Sequence, residues 1–336
     1  MAVAKRSFFA EDGALGPGRL SIDDTDVRAL IREIAGEATA VDLGGTMSLN
    51  AHLTSADLVL RVHRPFITRR RILAARELLR GLLGCGLSVP EPRRWRDQEL
   101  FRCRGRWAEL EAFIAHSKPP PTWGSYVWMY GAMGRLHRSM APLASSLPRP
   151  AVATYGPPGT LRRWALVTAD AVQSNSEAAG LADRLKQLIR RLERQWVPAR
   201  HLPMQLVHGD VRLGNVAAAP GGEPVYLDFG FAAIRPRIHD LGYALSWIVL
   251  RPDDSGRAED FQWDRLPELV TAYEDSSQTT LSPIERRALG PYMAAVPLYL
   301  ASISGFIPDP VRRLLEERPF LRIAEWVLAN PESVAL

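Results

Sequence analysis

The residues whose types and spacing suit catalysis are concentrated in one segment of the second half of the chain. Positions 208–215 read HGDVRLGN, and DFG follows at 228–230, directly after an apolar run. The carboxylates of Asp210 and Asp228 and the amide of Asn215 can therefore converge on one point. Phosphoryl transfer needs such a set, because a carboxylate must lie near the attacking hydroxyl and oxygen atoms must hold the magnesium that bridges the phosphates.

The scarcity of lysine among the positively charged residues limits which phosphate-binding motifs the chain can contain. The 336 residues include 42 Lys+Arg and 37 Asp+Glu, which gives a net charge of +5. Lysine occurs only at Lys5, Lys118 and Lys186, and no glycine directly precedes a lysine, so a Walker A loop is excluded. A GC-rich genome is the plain explanation of this preference for arginine.

Cysteine content and hydropathy indicate the compartment. The two cysteines, Cys85 and Cys103, cannot form a disulfide framework or a Cys-rich zinc site, and we expect both to be reduced. Positions 1–18 lack the apolar core of a signal peptide, and the apolar stretch 293–307 is too short and too interrupted to span a bilayer. We therefore expect a cytoplasmic protein without a membrane partner.

The elements that must position the catalytic residues change in character along the chain. Period-two alternation predicts strands at 39–43, 48–54 and 57–63, and a hairpin of 99–103 with 107–113. Helical spacing of apolar residues predicts a first helix that begins near Asp24. It also predicts helices over 69–83, 123–137, 160–172, 180–196, 266–273, 283–304 and 311–328. Because strands precede the break at Pro119–Pro121 and helices follow it, we predict an α+β, bilobal fold. It has a β-rich N-lobe over 1–113, a mainly helical C-lobe over 114–336, and a site in the cleft between them.

The segment 208–230 resembles the catalytic core of the aminoglycoside phosphotransferase / choline kinase family, which shares the protein-kinase-like fold. The kinase pattern H-R-D-L-x-x-x-N followed by D-F-G has the same offsets. The resemblance implies that Asp210 is the catalytic base or orients the attacking hydroxyl, and that Asn215 and Asp228 hold Mg²⁺.

Three further residues near this core take their expected roles from the same resemblance. His208 is implied to brace the catalytic loop, and Asp240 to be a buried aspartate that supports it. Arg212 lies two positions after the base, where protein kinases usually carry a lysine. It either touches the transferred phosphate as a catalytic residue or pairs with a surface carboxylate.

The first lobe carries the counterpart of the family's nucleotide site. The stretch 44–50, GGTMSLN, is similar to the family's turn over the nucleotide phosphates, which assigns Gly44, Gly45 and Ser48 to nucleotide binding. The last strand of the lobe should lead into a hinge, and the resemblance implies that main-chain groups between Glu111 and Phe113 bind the purine of ATP or GTP.

The third strand departs from the family pattern. In the family this strand usually supplies a lysine to the α- and β-phosphates, held by a glutamate of the next helix. No lysine exists between Lys5 and Lys118, so the strand DLVLRVH offers Arg61 instead. Arginine has a fixed charge and a forked donor geometry suited to phosphate. The resemblance therefore implies an ion pair between Arg61 and Glu77.

These observations predict a small-molecule kinase that transfers the γ-phosphoryl of ATP or GTP to a hydroxyl. The first candidate acceptor is an antibiotic, aminoglycoside-like or otherwise sugar-containing. The alternatives are a metabolic alcohol or sugar of the choline, homoserine or methylthioribose type, and a non-catalytic pseudokinase. Positions 251–280 hold eight acidic and three basic residues, so they could attract a cationic acceptor or form a solvated face. Trp247 and Trp263 line a ring pocket or belong to the core.

A nucleic-acid-binding protein is the competing class. Seven arginines lie between positions 61 and 80, and such basic patches give salt-dependent, unspecific affinity. No helix-turn-helix, zinc or RRM signature accompanies them, and they overlap the strand and helix expected near the nucleotide. We therefore expect no nucleic-acid partner.

Overall fold

The computed structural model describes residues 18–37, 39–45, 47–143, 147–150, 154–250 and 257–334. The first part of the chain forms a six-stranded sheet whose neighbouring strands are all antiparallel, in the order β1-β2-β3-β6-β4, with β5 also paired to β6. The strands are β1 (Ala40–Asp42), β2 (Ser48–Leu53), β3 (Leu58–His63), β4 (Pro92–Arg93), β5 (Phe101–Cys103) and β6 (Arg106–Ala112). Two helices accompany the sheet, α1 (Thr25–Ala35) and α2 (Arg69–Gly84).

The sheet forms because alternate residues of its central strands are apolar. Leu49 and Leu53 of β2 and Leu60 of β3 are fully buried, and they pack with Val27 of α1 in one small core. Helix α2 begins after Thr68, whose side chain caps it by accepting a hydrogen bond from the third residue of the helix. Helix α2 then packs against the short strand β4 of the sheet.

The second part of the chain is mainly helical. Its helices are α3 (Trp123–Met140), α4 (Pro158–Val172), α5 (Ser176–Gln195), α6 (Ile238–Val249), α7 (Leu266–Ser277), α8 (Pro283–Ser302), α9 (Pro310–Glu316), α10 (Arg318–Ala329) and α11 (Pro331–Val334). Two antiparallel strand pairs lie among them: β7 (Met204–Val207) with β10 (Ala233–Pro236), and β8 (Val216–Ala218) with β9 (Pro224–Tyr226). The predicted α+β, bilobal organisation is confirmed.

Close helix packing in this second core depends on a glycine. Helix α3 packs along α7, and a Cβ at Gly134 would lie 2.5 Å from the carbonyl oxygen of Tyr273. Any larger residue would force the two helices apart. The large core between these helices also contains the aromatic side chains of Tyr130 and Tyr292, both almost fully buried.

Two helix predictions are corrected by the structure. The single helix predicted over 311–328 is two helices, α9 and α10, because Pro319 lies in the first turn of α10 and cannot continue a preceding helix. Helix α6 is absent from these predictions: it is short, and nearly all of its residues are buried, so it has almost no polar face that contrasts with its apolar residues. Cys85 is exposed and Cys103 is buried, and both are free thiols, as expected.

One helical stretch is apolar enough to be compared with a membrane span. Residues Pro283–Phe306 reach the length and hydropathy of a spanning helix, but 83% of the most apolar window is buried inside the fold. This is the environment of a core helix.

Candidate active site

All but one of the predicted site residues line a single cleft between the two parts of the fold. Its volume is about 870 Å³. The predicted residues that line it are Gly44, Gly45, Ser48, Arg61, Glu111, Phe113, Asp210, Arg212, Asn215 and Asp228. The exception is Glu77.

The catalytic loop is held in place by a buried carboxylate. Asp240, in the first turn of α6, accepts hydrogen bonds from the backbone N–H groups of His208 (2.8 Å) and Gly209 (2.9 Å). The third donor is the Nε2 atom of His137, at 3.0 Å. Burial alone would raise the pKa of Asp240, but the hydrogen bond from His137 and the surrounding histidines hold it well below the ordinary value. The predicted supporting role of Asp240 is confirmed.

His208 joins the loop to the segment that carries Asp228. Its Nε2 atom donates to the carbonyl oxygen of Leu227 at 2.8 Å, and its Nδ1 atom accepts from the backbone N–H of Asp210 at 3.2 Å. The next residue, Gly209, has φ of +84°, and a Cβ there would lie 2.5 Å from the carbonyl oxygen of Phe231. The bracing role predicted for His208 is confirmed.

Asp210 lies at the bottom of the cleft with its carboxylate held on both sides. The Nδ2 atom of Asn215 donates to its Oδ2 atom at 2.7 Å, and the hydroxyl of Tyr243 donates to its Oδ1 atom. Burial raises the pKa of Asp210, and the charge of Asp228 adds to this effect, while Arg212 opposes it. A carboxylate with a raised pKa and a fixed orientation suits a general base.

Arg212 is in a position to act on the cleft. Its Nη2 atom lies 3.5 Å from the Oδ2 atom of Asp210, and its side chain is half exposed. Of the two predicted alternatives for Arg212, an ion pair with a surface carboxylate is not seen among the described residues; its partner is the buried carboxylate of Asp210. The guanidinium also lies 5.9 Å from the ring centroid of Trp247.

Trp247, expected to line a ring pocket or to belong to the core, lies in the cleft, but sequence reasoning missed Tyr243 and the rest of the aromatic wall. The wall consists of Tyr243, Trp247 and Phe320, which all line the cleft beside Asp210. Tyr243 follows Asp240 by three positions, so one turn of α6 places both residues on the same face, and this spacing was the available signal. Trp263, by contrast, stacks on Trp326 at 4.4 Å and belongs to the core.

The two residues predicted to hold Mg²⁺ offer suitable oxygen atoms. Asn215 uses its Nδ2 atom in the bonds to Asp210, which leaves the Oδ1 atom as its free ligand. Asp228 has a left-handed backbone (φ 59°, ψ 67°), and its side chain accepts a weak hydrogen bond from the N–H of Gly230 at 3.4 Å. One carboxylate and one amide oxygen fit Mg²⁺, which takes few protein ligands and completes its octahedron with phosphate and water.

The predicted ion pair between Arg61 and Glu77 is wrong. The Nη2 atom of Arg61 lies 3.5 Å from the Oε2 atom of Glu111, and its Nη1 atom lies 3.7 Å from the Oδ1 atom of Asp228. The side chain of Glu77 is 71% exposed and pairs with Arg80 on its own helix. Glu111, predicted to act through its main chain, therefore contributes its side chain as the partner of Arg61.

Helix phase explains the error. One residue along a helix rotates the side chain by about 100°, and the α2 residue that faces the sheet is Arg76, not Glu77. The side chain of Arg76 is 1% exposed, and its Nη1 atom donates to the Oε2 atom of Glu109 at 2.9 Å. The Nε atom of Arg76 also donates to the Oε2 atom of Glu99, at 3.3 Å. The helix thus supplies a cation where a carboxylate was predicted, and β6 supplies the carboxylates.

The carboxyl groups of Glu109 and Glu111 point to the same side of β6, but their pKa values are shifted in opposite directions. Burial raises the pKa of Glu111 to about 7, with a smaller contribution from the charge of Glu109, and Arg61 opposes the rise. Burial acts on Glu109 too, but a 2.7 Å hydrogen bond with the Nε2 atom of His63 and the nearby arginines outweigh it and lower the pKa to about 2. Glu111 is therefore the group of this network that titrates near neutral pH.

Hydrogen bonds within the protein limit which main-chain groups of the predicted hinge can bind the purine. The N–H of Ala112 donates to the carbonyl of Glu91, and the N–H of Phe113 donates to the carbonyl of Asp57. Neither amide is free for a nucleotide. The ring of Phe113 stacks on His52 with centroids 3.6 Å apart, which fixes this edge of the cleft.

The glycine turn at the rim is held by short polar contacts. Gly44 and Gly45 have φ of 81° and 98°, which favours glycine at both positions. The N–H of Gly44 donates to Asp42, and its carbonyl accepts from the Nδ2 atom of Asn50 at 3.0 Å. Ser48 contacts the cleft, although its hydroxyl also lies 3.4 Å from the Nδ1 atom of His63. Thr46 lies outside the described residues.

Positions 251–280 were expected either to attract a cationic acceptor or to form a solvated face. Their carboxylates form contacts away from the cleft. Glu259 contacts Arg257, Glu268 accepts from the Nε1 atom of Trp123, and Glu274 pairs with another arginine, Arg286. None of these carboxylates lines the cleft. Asp253 and Asp254 lie outside the described residues.

The arginine cluster that suggested nucleic-acid binding is not one surface. Arg71 and Arg76 are buried, Arg61 lies in the cleft, and Arg80 pairs with Glu99 at 2.6 Å. These four arginines make contacts inside the fold or line the cleft.

Comparison with known proteins agrees with this geometry. The model of the phosphotransferase enzyme family matches residues 42–274 of the chain. No curated protein matches the sequence.

Three solved structures share the fold at low sequence identity. A microcompartment-associated aminopropanol kinase has 16% identity and a TM-score of 0.68, with 93% of this chain and 98% of that chain covered. An amicoumacin kinase in complex with AMP-PNP and Ca²⁺ has 14% identity and a TM-score of 0.63, with coverages of 89% and 93%. A choline kinase from Streptococcus pneumoniae has 14% identity and a TM-score of 0.56, with coverages of 91% and 100%. The fold is that of the protein-kinase-like small-molecule kinases, and the chain belongs to the phosphotransferase enzyme family.

Proposed function

We propose that this chain transfers the γ-phosphoryl group of ATP or GTP, with Mg²⁺, to a hydroxyl group of a small polar molecule. One observation carries the proposal: Asp210 and Asn215 lie on a loop whose main chain Asp240 holds, and they meet Asp228 of a separate segment in one cleft. Because the reaction consumes a nucleoside triphosphate and needs no membrane contact, we place it in the cytoplasm.

The proposed roles follow from the geometry of the cleft. Asp210 accepts the proton of the attacking hydroxyl, and Tyr243 and Asn215 fix the direction of its two carboxylate oxygens. Asn215 and Asp228 would hold Mg²⁺, which when bound neutralises charge on the phosphoryl oxygens. Arg212 lies beside Asp210, where it can meet the transferred phosphoryl group.

The nucleotide side of the cleft would bind the rest of the triphosphate. Arg61 is held between Glu111 and Asp228, and its forked guanidinium can contact the α- and β-phosphates. The turn at Gly44 and Gly45 borders the same space. This arrangement replaces the family's lysine–glutamate pair with an arginine and a glutamate that both come from the sheet.

Two acceptor classes are supported by different observations. One structural neighbour is described as an amicoumacin kinase and another as an aminoglycoside phosphotransferase, and the large cleft has room for a sugar-containing antibiotic, which is our first candidate. The aromatic wall of Tyr243, Trp247 and Phe320 beside the base favours the second candidate, a small metabolic amino alcohol whose ammonium group could rest on aromatic faces.

A screen of nucleotide consumption over panels of antibiotics and metabolic alcohols tests the proposal, with Asp210→Asn as the blank. Wild type should consume nucleotide with at least one acceptor. Asp210→Asn should lower this rate by about 100-fold or more, as for the loss of a general base, while nucleotide affinity stays within about threefold. An Asp210→Asn protein with full activity would remove Asp210 from the proposed mechanism. Nucleotide binding without turnover on any panel would favour a pseudokinase.

A further inference from the structure

Arg71 is the residue of α2 that connects this helix to the segment carrying Asp228. Its Nη2 atom donates to the carbonyl oxygens of Phe229 (3.3 Å), Gly230 (3.0 Å) and Ala232 (2.6 Å). Its Nη1 atom donates to the carbonyl oxygen of Pro148 at 2.7 Å. A single guanidinium thus binds three carbonyls of one turn, although Arg71 and that turn are separated by more than 150 positions in the chain.

The electrostatic setting of Arg71 is unusual for a structural side chain. The residue is 5% exposed, and among the described residues no carboxylate lies within ion-pairing distance of it. Burial and the charge of Arg235 lower the pKa of Arg71 to about 10, so it remains charged at neutral pH. A buried charge that only carbonyl dipoles compensate is costly compared with an apolar residue of similar size. The contribution of the arginine at this position is therefore that its guanidinium binds these carbonyl groups, and not that its side chain fills space.

That carbonyl geometry determines the conformation of Asp228. The turn Phe229–Phe231 is a short 3₁₀ helix, and Asp228 precedes it in a left-handed backbone conformation, which is uncommon for residues other than glycine although aspartate tolerates it better than most. Such a conformation persists only where the surrounding structure fixes it. The hydrogen bonds from Arg71 fix the carbonyls that directly follow Asp228, and the carboxylate of Asp228 then points into the cleft.

We propose that Arg71 is a positioning residue that holds the Phe229–Phe231 turn so that Asp228 is presented to a divalent metal–nucleotide complex. The inference rests on the proposed function. It adds that the orientation of the Asp228 carboxylate depends on the position of α2. Removing the guanidinium should leave the nucleotide site intact but weaken the part of the affinity that the metal contributes.

The test is the affinity of a fluorescent ATP analogue, measured by anisotropy on the full chain in saturating Mg²⁺ and again in EDTA. The variant Arg71→Met keeps the length of the apolar stem and removes the donors. It should lose about tenfold or more of the Mg²⁺-dependent gain in affinity, because several hydrogen bonds from a charged group disappear, while its affinity in EDTA stays at the wild-type value. Arg71→Lys should lie between the two.

A matched control separates position from charge. Arg70 precedes Arg71 on α2 and is exposed, so Arg70→Met removes the same charge without touching the turn. It should behave as wild type in both buffers. An Arg71→Met protein that keeps the full Mg²⁺ gain overturns the inference, and so does one that loses affinity equally in Mg²⁺ and EDTA, since that would indicate a general structural role.

Two outcomes remain distinguishable from these. If wild type does not bind the analogue in either buffer, the proposed function fails, whereas a wild-type Mg²⁺ gain that survives in Arg71→Met refutes the inference alone. If neither Arg71 variant folds, hydrogen–deuterium exchange of wild type decides. The Mg²⁺–nucleotide complex, but not the nucleotide in EDTA, should then protect the amides of 228–232 and of the first turn of α2 together, and protection of the turn without α2 would contradict the inference.

Discussion

The catalytic loop and the nucleotide-side network of Arg61, Arg76, Glu109 and Glu111 hold charged groups in place by different means. In the loop, Asp240 binds main-chain N–H groups, so the arrangement depends on backbone shape. In the network, arginines of β3 and α2 meet glutamates of β6, so it depends on strand register and helix phase. A main-chain anchor restricts sequence to one short motif, whereas a side-chain network tolerates exchange of partners. Both departures from the family pattern lie in this network: an arginine takes the place of the lysine, and a glutamate of the sheet takes the place of the helix glutamate.

The largest expected effect comes from breaking the anchor. Asp240→Asn replaces a buried carboxylate that receives three hydrogen bonds, and its amide group leaves buried N–H donors without acceptors. We expect the free energy of unfolding to fall by about 3–5 kcal/mol, as for other buried charge networks that lose one member. Chemical denaturation measures this. The exposed Asp264→Asn is the control, and an equal, small effect in both variants would show that the loop needs no such anchor.

The second prediction separates the two ways of holding Arg61. Arg61→Ala should weaken binding of the fluorescent ATP analogue by about tenfold or more, because charge-assisted hydrogen bonds to phosphate are lost. Glu77→Ala should change it by less than about twofold, since Glu77 contacts Arg80 at the surface. If Glu77→Ala weakened binding as much as Arg61→Ala, a helix–strand ion pair would have to form in the nucleotide complex, contrary to the geometry described above.

The smallest effect concerns the charge of Glu111. Its folded-state pKa of about 7 is raised from an ordinary 4.5, so the stability it contributes is present at low pH and is lost as pH rises through 7. Between pH 6 and pH 8, wild type should lose about 1.4 kcal/mol of stability relative to Glu111→Gln, whose side chain cannot ionise.

Denaturation curves of both proteins at the two pH values measure this difference. Glu77→Gln is the control at an exposed position and should follow wild type. Parallel pH profiles of wild type and Glu111→Gln would show that the carboxyl of Glu111 does not change its ionisation between pH 6 and pH 8.

The sequence was informative where the site is local. Asp210 and Asn215 lie five positions apart, and Asp228 follows a short strand, so the motif that names these residues also determines how they meet. Most strands of the first part and the two-part organisation could be predicted because alternation gives way to helical spacing along the chain, whereas β4 and the short strands β7 to β10 carry too few residues to show an alternating pattern. Burial all round hid α6, and with it the contact between Tyr243 and the base.

The partner of Arg61 could not be read from a motif, because helix phase and strand register are set by packing. A signal was nevertheless present in α2. Ile72, Arg76 and Leu79 follow the i, i+4, i+7 spacing of one helix face, and all three are buried. Glu77 lies one position away from that stripe. The carboxylates of β6 were equally visible as alternate residues of one strand, pointing to the face that Arg61 occupies on the neighbouring strand.

The carboxylate of Glu111 also has a consequence for inhibitor selectivity. It lies at the inner wall of the cleft, beside Arg61 and within the space that a nucleotide-competitive compound would enter. An apolar extension toward this wall would strip water from an acid that titrates near pH 7, whereas a basic amine would form an ion pair with it. Compounds that carry such an amine should therefore gain potency on this enzyme as the assay pH rises from 6 to 8, and matched compounds with a hydrocarbon in its place should not.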